Sequence, residues 1–243
     1  EIQTAWAPGS KLLVRNDLGA LKIAADDGTD CRITARVYVH APTKREAREI
    51  GEQVQITAEP NDGTVLVSVR KPPMSQDHRF VGVDFDILVP RQAQVDCETE
   101  FGRVRLAGIE GDVKARTQFG SVLCEDTHGA LDLGTEFGRV TARQIVSPRV
   151  VACTEFGSVD ISCAESCPAD LTAEAKTEWG KIRFRAPPDY QGSVELTTDS
   201  GAVTSSLPVA AEGRLSRSRI TGSIGTGEGK LHLSSERGSV RLR

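Results

Sequence analysis

The sequence predicts an all-β fold: a right-handed parallel β-helix, or β-solenoid, with coils of about 18–23 residues and one short helix in the N-terminal part. Three observations predict it. The first is a recurring phrase, Thr99-Glu100-Phe101-Gly102-Arg103-Val104, which returns with variation at Thr117-Gln118-Phe119-Gly120-Ser121-Val122 and Thr135-Glu136-Phe137-Gly138-Arg139-Val140. It appears again at Thr154-Glu155-Phe156-Gly157-Ser158-Val159 and Thr177-Glu178-Trp179-Gly180-Lys181-Ile182. From Gly102 to Gly201 the glycines step by 18, 18, 19, 23 and 21 residues, a short period that points to stacked units. The second is period-two alternation: Val95, Cys97 and Thr99 fall on one side of an extended chain, and Asp96, Glu98 and Glu100 on the other. The third is that no helix-period segment lies between these strands. Each period holds two short strands introduced by Gly or Pro corners, and coil should stack on coil at roughly 4.8 Å. Glycine is expected at the corners for its tolerance of positive φ. Right-handedness is expected because parallel crossovers overwhelmingly take that hand.

The elements follow in order within one expected domain, residues 1–243. Residues 1–94 form its N-terminal part, 95–206 its regular coils, and 207–243 a loop and terminal coil. Lys11–Arg15, Ala20–Ile23 and Arg32–Val39 alternate like strands, with turns at Asn16–Gly19 and Asp26–Gly28. Thr43 followed by Glu46 is a capping box, which starts a helix over residues 44–54 with Ala47, Ile50 and Val54 on one side. That helix is expected to cover an end or side of the sheets. Val54–Ala58 and Thr64–Arg70 read as a hairpin turning at Pro60-Asn61-Asp62-Gly63. Lys71–His78 is a polar loop, and Val81–Val89 alternates into Pro90. Leu207–Gly229 is expected to be a mobile loop rich in Gly, Ser and Arg, before Lys230–Leu233 and Ser239–Leu242 close the chain as a hairpin or coil.

Composition narrows the function. Net charge is −4 with no basic cluster, which disfavours nucleic acid as a partner. No apolar run of transmembrane length occurs. The chain begins at Glu1 without a methionine, and is read as a mature chain whose signal peptide or anchor has been removed.

The strand and N-D-L-G turn at Asn16–Gly19, the capped helix, V-D-F-D-I-L-V-P at Val83–Pro90, the T-E-F-G-x-V coils and the closing residues Gly222–Val240 together resemble the bacterial putative-adhesin family, domains of unknown function. The resemblance covers nearly the whole chain. It implies a β-helical, extracytoplasmic protein of the cell envelope, adhesin-like or scaffolding, with no catalytic residues to carry over.

Candidate sites lie on the repeat. The ladder Phe101, Phe119, Phe137, Phe156 and Trp179 has two readings, a core stack, which the alternation favours, and a platform for sugar rings. Trp179 is the member expected to be partly exposed. An outward ladder of Glu100, Gln118, Glu136, Glu155 and Glu178 runs beside Arg103, Ser121, Arg139, Ser158 and Lys181. It reads either as a solvated mixed-charge face or as a site for a cation or polysaccharide. Thr99, Thr117, Thr135, Thr154 and Thr177, with Gly102, Gly120, Gly138, Gly157 and Gly180, are structural repeat positions. Cys97 and Cys124 read as core residues and Cys153 as outward. Cys163 and Cys167 are either a small disulfide loop or free thiols, and without a second Cys pair or a nearby His they are not read as a metal site. Catalysis has little support: Asp112, Asp132, Asp160 and Asp170 scatter over coil positions, Ser75-Gln76-Asp77-His78 lacks flanking signatures, and His40, His128 and His232 are isolated. The reading is therefore a non-catalytic extracytoplasmic module without cofactor, whose partner is a cell-surface glycan or an envelope protein. Its rivals are a polysaccharide lyase or hydrolase on the same scaffold and an envelope protein self-assembling end to end.

Overall fold

The structure, a computed structural model, describes residues 1–73, 79–212 and 216–243. After β1 (Ile2–Ala5) come β2 (Lys11–Leu18), β3 (Leu21–Asp26) and β4 (Asp30–His40). The helix α1 (Lys44–Glu52) leads to β5 (Gln55–Asn61), β6 (Thr64–Arg70) and β7 (Phe80–Pro90). The regular region runs through β8 (Gln94–Phe101), β9 (Val104–Ala107), β10 (Val113–Phe119), β11 (Val122–Glu125), β12 (Leu131–Phe137) and β13 (Val140–Ile145). It continues through β14 (Arg149–Phe156), β15 (Val159–Cys163), β16 (Thr172–Trp179) and β17 (Ile182–Arg185). The tail holds β18 (Gly192–Ser200), β19 (Val203–Ser205), β20 (Ala210–Ala211), β21 (Arg219–Ile224), β22 (Gly229–Arg237) and β23 (Val240–Leu242).

These strands build two large mixed sheets. The front sheet has twelve strands, in the order β20-β21-β18-β22-β16-β14-β12-β10-β8-β2-β6-β5. The back sheet has eleven, ordered β1-β4-β7-β3-β9-β11-β13-β15-β17-β23-β19. From β8 to β17 the chain alternates between the sheets, and each strand pairs in parallel with the equivalent strand of the next coil. The register sets Thr99 beside Thr117, Thr135, Thr154 and Thr177, with Phe101, Phe119, Phe137, Phe156 and Trp179 aligned likewise. Inward residues of both sheets, such as Cys97, Ala115, Leu133 and Ala152 in front and Leu106, Cys124, Ala142 and Ile161 behind, form one buried core.

At both ends the order in space departs from the order in sequence, whereas simple stacking of each coil on the next was expected. The first coil, β2 and β3, is covered on its outer side by β6 and β7, which come later in the chain. The last coil, β22 and β23, lies between β16–β17 and β18–β19, which come earlier. Antiparallel strands then close the ends: β4 and β1 beyond β7, β5 beyond β6, and β21 and β20 beyond β18. The stretch Leu207–Gly229, expected to be a mobile loop, thus contributes β20 and β21 to the front sheet. The outermost strands are short or carry a proline (β1 has four residues, β19 three and β20 two, and β5 holds Pro60), which blunts edge-to-edge pairing.

The helix begins with the N-cap half of the expected capping box, Thr43 Oγ1 accepting from the Glu46 N–H at 3.2 Å, while the Glu46 carboxylate accepts from Arg79 at 2.6 Å. It lies on β4 without a fully buried residue, so it shields the back sheet at the N-terminal end and adds little to the core. The expected 60–63 turn joins β5 and β6, with Asp62 and Gly63 at φ 44° and 74°.

Candidate functional site: an aromatic corner beside an open groove

Each front strand of the regular coils ends at a corner built from Thr, an aromatic residue and Gly. The threonine side chain points inward and donates across to the glycine carbonyl of the preceding coil. Thr117 Oγ1 reaches Gly102 O at 2.9 Å, Thr135 reaches Gly120 at 3.1 Å, Thr154 reaches Gly138 at 3.0 Å and Thr177 reaches Gly157 at 3.0 Å. Ser235 and Thr198 continue the series to Gly180 and Gly238 at 3.0 and 2.8 Å. These bonds satisfy carbonyls where the chain leaves the sheet. The glycines are required by closeness more than by torsion. A Cβ on Gly120, Gly138, Gly157 or Gly180 would lie 1.6–1.9 Å from the glycine carbonyl oxygen of the neighbouring coil. Among these repeat glycines only Gly102 and Gly138 have φ in the positive region, at 159° and 154°, close to extended geometry. The expectation that positive φ explains the glycine is corrected accordingly.

The aromatic ladder is not core. Phe101, Phe119, Phe137, Phe156 and Trp179 are 41–47% exposed. Strict alternation from Thr99 would send Phe101 inward, but the chain is already bending at the end of the strand, and the ring swings outside the corner. The rings stack on one another: centroids are 4.8–5.0 Å apart from Phe101 to Phe156 with planes within 3–5°, and Phe156 to Trp179 is 6.4 Å. The Arg237 guanidinium carbon lies 4.0 Å from the Trp179 ring centroid and caps the stack. Ring faces are therefore turned to neighbouring rings, and the solvent meets ring edges. A sugar stacks on ring faces, so the platform reading finds its surface already taken.

Two rows of side chains flank this ridge. On the front-sheet side run Glu100, Gln118, Glu136, Glu155 and Glu178, with Gln118 Nε2 donating to Glu136 at 3.2 Å. Past the glycines run Arg103, Ser121, Arg139, Ser158 and Lys181, with Arg139 Nε donating to Ser158 Oγ at 2.9 Å.

The glutamate row is also one wall of an open groove of about 950 Å3 on the outer face of the front sheet. Its floor includes Arg116, Gly134, Cys153 and Lys176. Gly134 makes the hollow: a Cβ there would lie 2.8 Å from Arg116 Nη1, and the arginine instead lies across the glycine to pair with Asp132. Arg116 Nη1 is covered and has no hydrogen-bond partner among the described residues. Nearby, Lys11 and Arg15 hold Asp96 at 2.9 and 3.0 Å. Burial raises the Asp96 carboxyl, but hydrogen bonds from these two cations outweigh it and leave the carboxyl below its ordinary range.

Apart from Cys153 in its floor, the remaining described candidates do not line this groove. Cys97 and Cys124 are fully buried, and burial raises both thiols, Cys124 to about 12. Cys153 faces outward, half-buried in the groove floor. Cys163, the last residue of β15, and Cys167, in the loop that follows, are free thiols in contact, not a disulfide. The Cys163 thiol donates to the Cys167 sulfur, which lowers Cys167 to about 7 against the opposing effect of burial, and raises Cys163. The Ser147 N–H reaches the Cys167 sulfur at 3.5 Å. Asp132 and Asp160 pair with Arg116 and Arg183, and Asp112 accepts from the Ala130 N–H at 2.9 Å. His40 stacks on Phe80, and His232 lies 3.1 Å from Glu195. Residues 75–78 lie outside the described residues. Among the described residues no group of three or more His, Cys, Asp or Glu side chains gathers as a metal site. No described helix is long and apolar enough to cross a membrane.

No protein-family model matches the chain, and no curated protein matches it. Two solved structures are similar. One is described as a "putative adhesin" from Bacteroides fragilis, at 13% identity, covering 100% of this chain and 95% of that one, with a TM-score of 0.45. The other is described as a "putative cell adhesion protein" from Clostridium sporogenes, at 12% identity, covering 99% and 97%, with a TM-score of 0.40.

Proposed function

We propose that this protein is a non-catalytic, adhesin-like module of the extracytoplasmic space that binds an extended glycan along the groove of its front sheet. The coils are read as right-handed, in keeping with the general preference of parallel crossovers. The location outside the cytoplasm rests on the sequence pattern shared with adhesin-like envelope domains.

One observation carries the binding reading: an open groove of about 950 Å3 lined by side chains that repeat in register from strand to strand. Repetition suits an extended, repeating ligand, because each coil offers the same contact to the next unit. The same repetition disfavours catalysis. Glycoside cleavage needs two carboxyl groups held in different environments, one kept protonated and one ionised. Glu136 and Glu155 occupy equivalent positions on neighbouring strands, which provides no such difference. With ring faces already stacked, recognition would be polar: carboxylates accepting from sugar hydroxyls, and Lys114, Arg116 and Lys176 donating.

The test is incubation with a panel of cell-wall and extracellular polysaccharides, scoring retention together with new reducing or unsaturated ends. The expected result is retention without new ends, lost in a Glu136→Gln, Glu155→Gln double variant and in Arg116→Met. New ends would replace the binding module by an enzyme. Absence of retention across the panel would move the assignment to a protein partner.

A further inference from the structure

We propose that the aromatic corner is a homodimer interface, in which two copies of this chain lie side by side about a two-fold axis parallel to the stack of coils. The ridge is a continuous apolar stripe of five side chains, each 41–47% exposed. At roughly 80 Å2 of exposed ring apiece, this is an apolar patch of about 400 Å2, the size at which exposed surface on a soluble protein marks an interaction site. It supplies about half of the roughly 800 Å2 per partner of a standard interface, and the flanking rows supply area for the remainder.

Pitch limits what can cover it. The rings recur every 4.8–5.0 Å, and their faces are occupied, so a partner must meet a file of ring edges with that repeat. A second copy has the same repeat over the same length.

Charge decides the orientation. A two-fold axis along the ridge brings the glutamate row of one copy against the basic row of the other at the same coil. Glu100 then faces Arg103, Gln118 faces Ser121, Glu136 faces Arg139, Glu155 faces Ser158 and Glu178 faces Lys181. Acid meets base three times per side, and the neutral Gln118 meets the neutral Ser121. An axis across the ridge would set glutamate against glutamate. These charges are also available. Among the described residues, none of Glu100, Glu136, Glu155, Glu178, Arg103, Arg139 and Lys181 has an ion pair within its own chain. Elsewhere on the same coils Arg105, Arg116 and Arg183 are paired with Glu125, Asp132 and Asp160. The contact is lateral and leaves the ends of the sheets free. It shares the glutamate wall with the groove but does not depend on glycan binding.

The experiment is sedimentation equilibrium of the whole chain from about 1 to 100 µM, a range that brackets a micromolar dimer. A mass of twice 26.1 kDa is expected at the upper end. Glu136→Arg should weaken the dimer about tenfold by opposing Arg139 of the second copy, and the reversed pair Glu136→Arg, Arg139→Glu should restore it. Phe119→Ser with Phe137→Ser should yield a monomer, with circular dichroism to check that it is folded. A monomer at every concentration overturns the proposal, and so does a dimer that Glu136→Arg strengthens, because that outcome requires glutamate to face glutamate.

Discussion

Gly138 shows how little room a single position leaves. Its would-be Cβ lies 1.7 Å from the Gly120 carbonyl oxygen, a backbone atom that can retreat only if the neighbouring coil moves with it. Gly63, in the hairpin turn, has φ 74° and no heavy atom within 4 Å of the same construction. Ala there meets a torsional cost of about 1 kcal/mol and nothing more. Gly138→Ala is expected to cost at least about 3 kcal/mol, at the severe end for a single substitution. Urea denaturation of both variants measures the difference. Equal losses would mean that torsion, not contact, makes the corner glycine necessary. The recurrence of this glycine was plain in the sequence, but its reason was not. Alternation and turn propensity describe one chain segment at a time, while the constraint comes from a carbonyl 18 residues away.

At the scale of the element, the front strand and its corner were legible up to their last residue. Val95, Cys97 and Thr99 point inward as their spacing dictates, and Val104 and Leu106 do so after the corner. Phe101 breaks the pattern because period-two alternation holds only while the backbone stays extended, and the strand ends there. The aromatic ladder was therefore visible as a ladder and misplaced as core. Its energetic role follows from geometry: Phe137 has ring neighbours on both sides, whereas Phe101 has one. Each stacked pair is worth about 0.5–1.5 kcal/mol beyond burial. Phe137→Ala should cost about 1 kcal/mol more than Phe101→Ala in dilute solution, read from urea midpoints. Equal costs would show that the stack adds nothing beyond burial. The groove could not be foreseen from the same strands, because it depends on Arg116 lying over Gly134, a contact between adjacent strands that no motif announces.

For the whole molecule, repeat period and alternation were enough to expect an all-β chain of stacked coils in its middle. They did not indicate which coil lies next to which at the ends. The phrases at Gly19, Gly201 and Gly238 are all loose versions of the same corner, so sequence similarity allows any of them to stack on any other. The actual neighbours are set by longer-range constraints: β4 must pair with β7, and β21 with β18. Short, proline-bearing or two-residue strands at the margins disfavour growth by end-on addition, which weakens the self-assembling alternative while leaving the lateral contact open.

The seat of the last coil has a consequence for how the chain is made. At the N-terminal end β2–β3 has two free sides, and later coils settle on each without conflict. At the other end β18–β19 leaves the ribosome before β22–β23, yet must not occupy the place beside β16–β17 that the final coil takes. A nascent chain that stacks β18–β19 there has made a corner of the right shape in the wrong slot, and must reopen it when β22–β23 arrive. Refolding followed by pulsed hydrogen exchange should show protection in β8–β17 ahead of β18 and β22, and simultaneous protection throughout would mean that no such detour is taken.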